Sequence, residues 1–157
     1  MYVAVVGPGD DATAADLERA REVGRLLAGA GAVVVTGGLG GVMAAAIKGA
    51  SGAGGTTLAL LPGDSRAAAG APATVVVATG LGEGRNAVLV RTVDAVIAVG
   101  GSWGTLSEIA LARRAGVPVV CLGRWSVLDA GGRPLALDRA ADPAEAVAAV
   151  LNRRRPS

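Results

Sequence analysis

The stretch Asp94–Leu111, DAVIAVGGSWGTLSEIAL, narrows the choice of fold more than any other part of the chain. The apolar residues Ala95–Val99 stop at Gly100-Gly101, and after Gly104-Thr105 an apolar-periodic segment carrying Glu108 begins. A short continuous apolar run is the pattern of a strand covered on both faces, and a helix after it begins with a polar cap. The order is therefore strand, glycine loop, helix. Parallel sheets are wound from this unit, and their ligands bind beyond the carboxyl ends of the strands, where this loop would sit.

The unit recurs along the chain. Tyr2–Val6 predicts a buried strand broken by Gly7-Pro8-Gly9. Thr13 then caps a helix from Ala14 to about Ala30, with Asp16 completing the cap. The strand Ala32–Thr36 leads into Gly37-Gly38-Leu39-Gly40-Gly41 and a short helix from Val42 to about Ala50. Thr56–Leu61 and Thr74–Ala78 read as strands separated by an aperiodic loop, Arg66–Ala73. Arg85–Val93 reads as a helix with Val88, Leu89 and Thr92 inward, and a further helix runs from Thr105 to about Ala115. Val117–Leu122 is a sixth strand. Trp125–Leu137 is irregular, with a small hairpin turning at Gly131-Gly132. Asp142-Pro143 opens a last helix to about Asn152, and residues 153–157, with Arg153-Arg154-Arg155, fray into a tail. The expectation is an α/β fold with a doubly wound, mainly parallel sheet, helices on both faces, and one domain over residues 1–157.

Composition excludes several chemistries. With no histidine in 157 residues, histidine-based triads, histidine metal sites and histidine acid–base catalysis are absent. The one cysteine, Cys121, ends an apolar run and reads as a buried strand thiol, so neither a disulfide framework nor a metal cluster is expected. Hydrophobic residues make up 52% and aromatic residues 2%, so the core is built from Ala, Val and Leu. The positive charge is almost all arginine and is scattered rather than striped, which argues against a nucleic-acid partner. The N-terminal MYVAVVGPG lacks a basic leader, and no run approaches the roughly 20 apolar residues of a membrane span. A cytoplasmic protein with no membrane partner is expected.

Three glycine loops carry the candidate chemistry. Gly7-Pro8-Gly9 with Ala12 is a loose G-x-G-x-x-A, but the acid that would bind a ribose at the end of the second strand is replaced by Thr36, which argues against a nicotinamide hydride carrier. In the second loop Gly37, Gly38, Gly40 and Gly41 exceed what a turn needs. The surplus means either close backbone approach by a ligand or helix–sheet packing in an alanine-rich chain. It is followed by no Gly-Lys-Ser/Thr, so it is not a triphosphatase loop. In the third, Gly100, Gly101, Ser102, Gly104 and Thr105 open a helix whose N-terminus favours an anion. Thr105 and Glu108 also have capping-box spacing, so Glu108 either reaches back to the helix end or faces a ligand. Arg85, just after Gly80–Gly84, offers a fork for phosphate, with Asn86 as a neighbouring donor.

At these residues the chain resembles a known family. GGSWGTLSE is similar to the PGGxGTxxE motif of the "lonely guy" proteins, once mislabelled lysine decarboxylases, and the resemblance runs from Met1 to about Leu122 through the GG-x-GG-V-M loop at Gly37–Met43. Gly84-Arg85-Asn86, Leu89-Val90-Arg91 and Asp94–Gly101 are closer to a short branch that includes the molybdenum-cofactor carrier proteins. The resemblance implies a Rossmann-like fold, a homodimer, and a small phosphorylated ligand: a nucleotide, a phosphorylated pterin such as the molybdenum cofactor, or phosphate itself. No cofactor is required. In hydrolytic members an arginine and the motif glutamate act on the N-glycosidic bond of a nucleoside 5′-monophosphate. They fall on Arg85 and Glu108 as candidate catalytic residues. Here Val99 replaces the motif proline, Asn86 the usual lysine after the arginine, and Trp103 stands where glycine and then tyrosine-like residues are common. Two functions follow: a binding protein whose loops cradle the phosphate, or a phosphoribohydrolase releasing free base and ribose 5-phosphate.

Overall fold

The computed structural model describes residues 1–123 and 125–153. These form β1 (Tyr2–Val6), α1 (Ala14–Gly29), β2 (Val33–Thr36), α2 (Gly41–Gly52), β3 (Thr57–Leu61), β4 (Val75–Ala78), α3 (Arg85–Thr92), β5 (Ala95–Val99), α4 (Trp103–Arg114), β6 (Val119–Leu122), β7 (Asp138–Ala140) and α5 (Pro143–Leu151). The strands make one seven-stranded sheet in the order β4-β3-β2-β1-β5-β6-β7, and every pairing is parallel. Ala4 of β1 stands in register with Val35 on one side and Val96 on the other. The α/β, doubly wound reading of the sequence is therefore right.

Strand alternation sorts the core into two layers, because successive side chains point to opposite faces. Val3, Val5, Val34, Ile97 and Leu122 face α1, α2 and α5. Ala4, Val6, Val35, Val96, Ala98 and Cys121 face α3 and α4. On the first layer the helices approach through glycines. A Cβ on Gly24 of α1 would run into the Ala46 carbonyl of α2, and one on Gly49 of α2 into the Arg21 carbonyl of α1. A core with so few aromatics fills its volume by bringing backbones together.

Chain order places the site. From β1 the chain winds outward through β2, β3 and β4, then returns to the other side of β1 with β5 and winds outward again. The loops after β1 and β5 thus leave toward opposite helical layers and open a crevice at the carboxyl ends of the strands.

Several expectations are corrected. Helix α4 begins at Trp103, not Thr105, because Ser102 is its cap and accepts a hydrogen bond from the Thr105 N–H at 3.3 Å. In α3, Leu89 and Val90 face inward while Val88 is 39% exposed and Thr92 is also exposed. Arg85 is buried at the start of the helix, and Leu89, one turn on at i+4, shares its face. The segment Asp138–Ala140 adds an edge strand on β6 that its polar sequence DRA gives no period to reveal. The expected capping box of Thr13 and Asp16 is present in full. The hairpin is present too, with Leu128 bridging Pro134. Arg153, read as the start of a fraying tail, pairs with Asp138. The tail from Arg154 onward lies outside the described residues. No helix among them is long and apolar enough to cross a membrane.

Candidate functional site

Three helices begin at the crevice: α2 at its cap Gly40, α3 at Arg85, and α4 at its cap Ser102. Together with the β1 loop they enclose a cleft of about 460 Å³ lined by Gly7, Gly9, Asp10, Leu39, Gly40, Met43, Arg85, Asn86, Ser102, Gly104, Thr105 and Glu108. Neither α2 nor α3 has a side-chain cap at its first turn. Helix N-termini carry unpaired N–H groups and a partial positive charge, so three of them at one cleft form a setting for an anion.

Arg85 and Glu108 meet at the base of the cleft. Each is 6% exposed, and Arg85 Nη1 lies 3.7 Å from Glu108 Oε1. This is close enough for charge attraction but too long for a hydrogen bond. Arg85 Nε and Nη1 have no hydrogen-bond partner among the described residues. A buried guanidinium with free donors is costly unless something accepts from it. Burial pushes the Glu108 carboxyl up to about 7, against the opposing pull of Arg85, and burial lowers the Arg85 guanidinium from its ordinary value. Glu108 thus titrates near neutrality, a position suited to proton transfer.

The alternative in which Glu108 closes a capping box does not hold. The Thr105 N–H is bonded to Ser102, and Glu108 lies in the second turn of α4, on the buried stripe of Thr105, Glu108, Ile109 and Ala112. Ser102 Oγ and Thr105 Oγ1 are 3.0 Å apart, which ties the loop to the first turn. Asn86 donates from Nδ2 to Ser107 Oγ at 3.0 Å, so it braces α3 against α4 at the rim.

The glycines of the sequence reading divide into two groups. Gly7, Gly40 and Gly104 line the cleft, and at Gly104 a side chain would meet little. Gly37, Gly38 and Gly41 do not line it; their smallness serves packing. Gly38 has φ +77° and lies under Leu61, while Gly41 has φ +58° and its Cβ position is occupied by the Pro8 and Gly9 carbonyls. Gly37 gives way to the Arg85 guanidinium itself. Gly100 and Gly101 line a neighbouring recess with Thr13, Asp16, Arg19 and Trp125, where the Trp125 ring covers Gly101. Packing therefore accounts for most of the surplus in the second loop.

The sequence reading did not select Gly9, Asp10, Leu39 or Met43 as site residues. Gly9 and Leu39 had a signal, since each belongs to a loop already singled out. Asp10 follows the first glycine loop, and Met43 faces the cleft from the first turn of α2.

The model of the SLOG cluster4 family matches residues 1–147. An uncharacterized protein of Archaeoglobus fulgidus is 42% identical over 125 residues, covering 78% of this chain and 80% of the relative. The structure of the molybdenum cofactor binding protein of the phototrophic bacterium Rippkaea orientalis is similar with a TM-score of 0.86 and 34% identity, covering 96% of this chain and 94% of that one. The molybdenum cofactor carrier protein of Chlamydomonas reinhardtii is similar with a TM-score of 0.83 and 38% identity, covering 96% and 94%. The extent of the family match and these full-length likenesses bear out the resemblance carried by the loop motifs: this chain, a LOG-like Rossmann protein, belongs to the SLOG cluster4 family.

Proposed function

We propose that this protein binds and carries a small phosphorylated ligand of the phosphopterin type, the molybdenum cofactor being the cargo suggested by the proteins it is similar to. The observation that carries the reading is Arg85: a buried guanidinium whose Nε and Nη1 have no partner among the described residues, in a cleft bordered by three helix N-termini. A phosphate accepts such donors in a two-pronged geometry, while backbone amides of the α2 and α4 starts supply the rest of its cradle. Gly40, Ser102, Gly104 and Thr105 border the phosphate directly. Gly37, Gly38, Gly41, Gly100 and Gly101 shape the loops behind them. The carrier acts as a homodimer, and Val75 and Val77 on the exposed edge strand β4, with Leu81 and Val88, supply apolar surface for the contact. Light scattering that returns a clean monomer mass at micromolar concentration ends that part.

The test is a titration of the purified protein with molybdenum cofactor freshly released from a molybdoenzyme under anaerobic conditions, comparing wild type and Arg85→Ala. Charge-assisted hydrogen bonds to a phosphate carry on the order of 1.5–3 kcal/mol, so the variant should bind about tenfold or more weakly. No binding by wild type, or equal binding by both, overturns the reading.

One observation favours a second reading. The Glu108 carboxyl, raised to about 7, holds a proton part of the time at neutral pH, and Asp10 brings a second carboxylate to the same cleft. A pair of carboxylates is the usual equipment for breaking a glycosidic bond. In that case Glu108 protonates the departing base and the protein is a nucleoside 5′-monophosphate phosphoribohydrolase. Incubation with AMP and the other common monophosphates, assayed for free base, separates the two: release that Glu108→Gln abolishes supports the hydrolase, and binding without release supports the carrier.

A further inference from the structure

We infer that Trp103 is the stacking platform for a planar heteroaromatic ring, purine or pterin, so that the cleft reads the ring of its ligand as well as the phosphate. The inference rests on the phosphate-binding reading of the same cleft and adds the half of the ligand that reading leaves open.

Trp103 is 88% exposed and is the first residue of α4. In a chain with two tryptophans, one tyrosine and no phenylalanine, an aromatic ring left in solvent stands out. Its chain neighbours on both sides, Ser102 and Gly104, line the cleft. The indole itself does not line the cleft; it projects into solvent from the helix start that borders it, while Arg85 and Glu108 lie buried within. Local rigidity helps: Ser102 caps the turn from which the ring projects, and its hydroxyl is tied to Thr105. A platform on a held turn loses little freedom when a ring settles on it.

The cleft and its border also differ in chemistry. The unpaired donors of Arg85 lie buried in the cleft, and the exposed indole belongs to the α4 start that borders it. Glu108 is five residues beyond Trp103 on the same helix, about 7.5 Å along the axis at 1.5 Å per residue. That span separates the buried carboxylate from the helix position that carries the exposed ring. Every base or pterin has a π-face, so stacking admits the class without choosing a member, and the edge contacts of the cleft are left to choose among them.

The experiment compares ligands with and without the ring on the full-length protein. AMP, GMP and a pterin monophosphate are titrated against wild type, Trp103→Ala and Trp103→Phe, with ribose 5-phosphate as the ring-free probe. Stacking predicts that at least one ringed ligand binds wild type more tightly than ribose 5-phosphate does. Trp103→Ala should lower that ligand's affinity about tenfold and leave ribose 5-phosphate unchanged, and Trp103→Phe should restore most of the loss. Tryptophan emission gives a second readout: the ringed ligand should quench wild type, and the quenching should vanish in Trp103→Phe, where Trp125 is the tryptophan that remains. Ribose 5-phosphate binding as tightly as the ringed probes, or an equal loss for both kinds in Trp103→Ala, overturns the stacking and leaves the phosphate site standing. Failure of every phosphorylated probe on wild type overturns both. Trp103 emission that is already blue-shifted without ligand and shifts red on dilution places the ring in a contact between copies and overturns the platform.

Discussion

Gly37 leaves the space that the Arg85 guanidinium fills. A Cβ at Gly37 would collide with Arg85 Nη1 and come within 2.9 Å of Nη2 and 2.7 Å of the Met43 sulfur. The glycine at the end of β2 therefore positions the cation at the start of α3, across the crevice from the loop that contains it. Gly37→Ala should displace the flexible end of Arg85 rather than the backbone. Folding stability should fall by about 1 kcal/mol, the low end for overpacking, since the neighbours are the ends of flexible side chains. Phosphate affinity should fall about as far as in Arg85→Ala. Unchanged affinity, measured by calorimetric titration with the same phosphorylated ligand, would show that Arg85 does not need this position.

The buried Glu108 carboxyl makes stability depend on pH. Its folded value is raised from 4.5 to about 7, so the contribution is complete below pH 4.5 and is lost as pH rises through 7. Relative to Glu108→Gln, which cannot ionise, wild type should lose on the order of 3 kcal/mol between those limits. Urea unfolding at pH 5 and pH 8 for both proteins checks this. A wild-type curve parallel to that of the variant would mean that Arg85 holds Glu108 ionised throughout.

Ser102, and not Thr105, caps α4. Ser102→Ala should cost about 1 kcal/mol, within the usual range for loss of such a cap. Thermal melts report it directly. The variant should also loosen the turn that carries Trp103, seen as a drop in fluorescence anisotropy.

The approach of α1 and α2 depends on two glycines in contact with carbonyls of the opposite helix. Gly24→Ala or Gly49→Ala would press a methyl group into Ala46 or Arg21 backbone, which cannot rotate away as a side chain can. Overpacking of this kind costs about 1–3 kcal/mol. Because neither position borders the cleft, the ligand affinity of the folded fraction should be unchanged. Chemical unfolding combined with a binding titration separates the two effects.

Much of this architecture could be read before any coordinates. Apolar runs such as Tyr2–Val6 and Ala95–Val99 coincide with β1 and β5 residue for residue, because strands buried on both faces have no polar positions to blur their ends. Edge strand β7 has one side uncovered and a polar sequence, and it was invisible for that reason. Arg85 and Glu108, singled out in the sequence by their side-chain chemistry, meet in the cleft, whereas positions that matter only for the space they leave were harder to read. Gly37, Gly38 and Gly41 looked like a ligand cradle because a glycine makes the same impression in sequence whether a phosphate, a leucine or an arginine takes the place of its side chain. The cap of α4 was misplaced because Ser102 and Thr105 are both good caps, and Trp103 between Ser102 and Gly104 gives no hint of a helix start. Asp10 went unread because loop acids are common and nothing nearby in sequence marks it.

The reversal of strand order at β1 has one more result. Gly7, Gly9, Asp10, Gly40 and Met43 come from the first winding of the chain, and Arg85, Asn86, Gly104 and Glu108 come from its second half. The cleft is thus a seam between two sequentially separate segments, and a ligand lying in it is a rivet between them. A ligand held this way is guarded by the whole fold: loosening either half opens the seam, and a filled seam resists loosening increasingly as ligand rises above its Kd. Retention and release of a ligand then become properties of the global stability of the molecule, set far from the atoms that touch it.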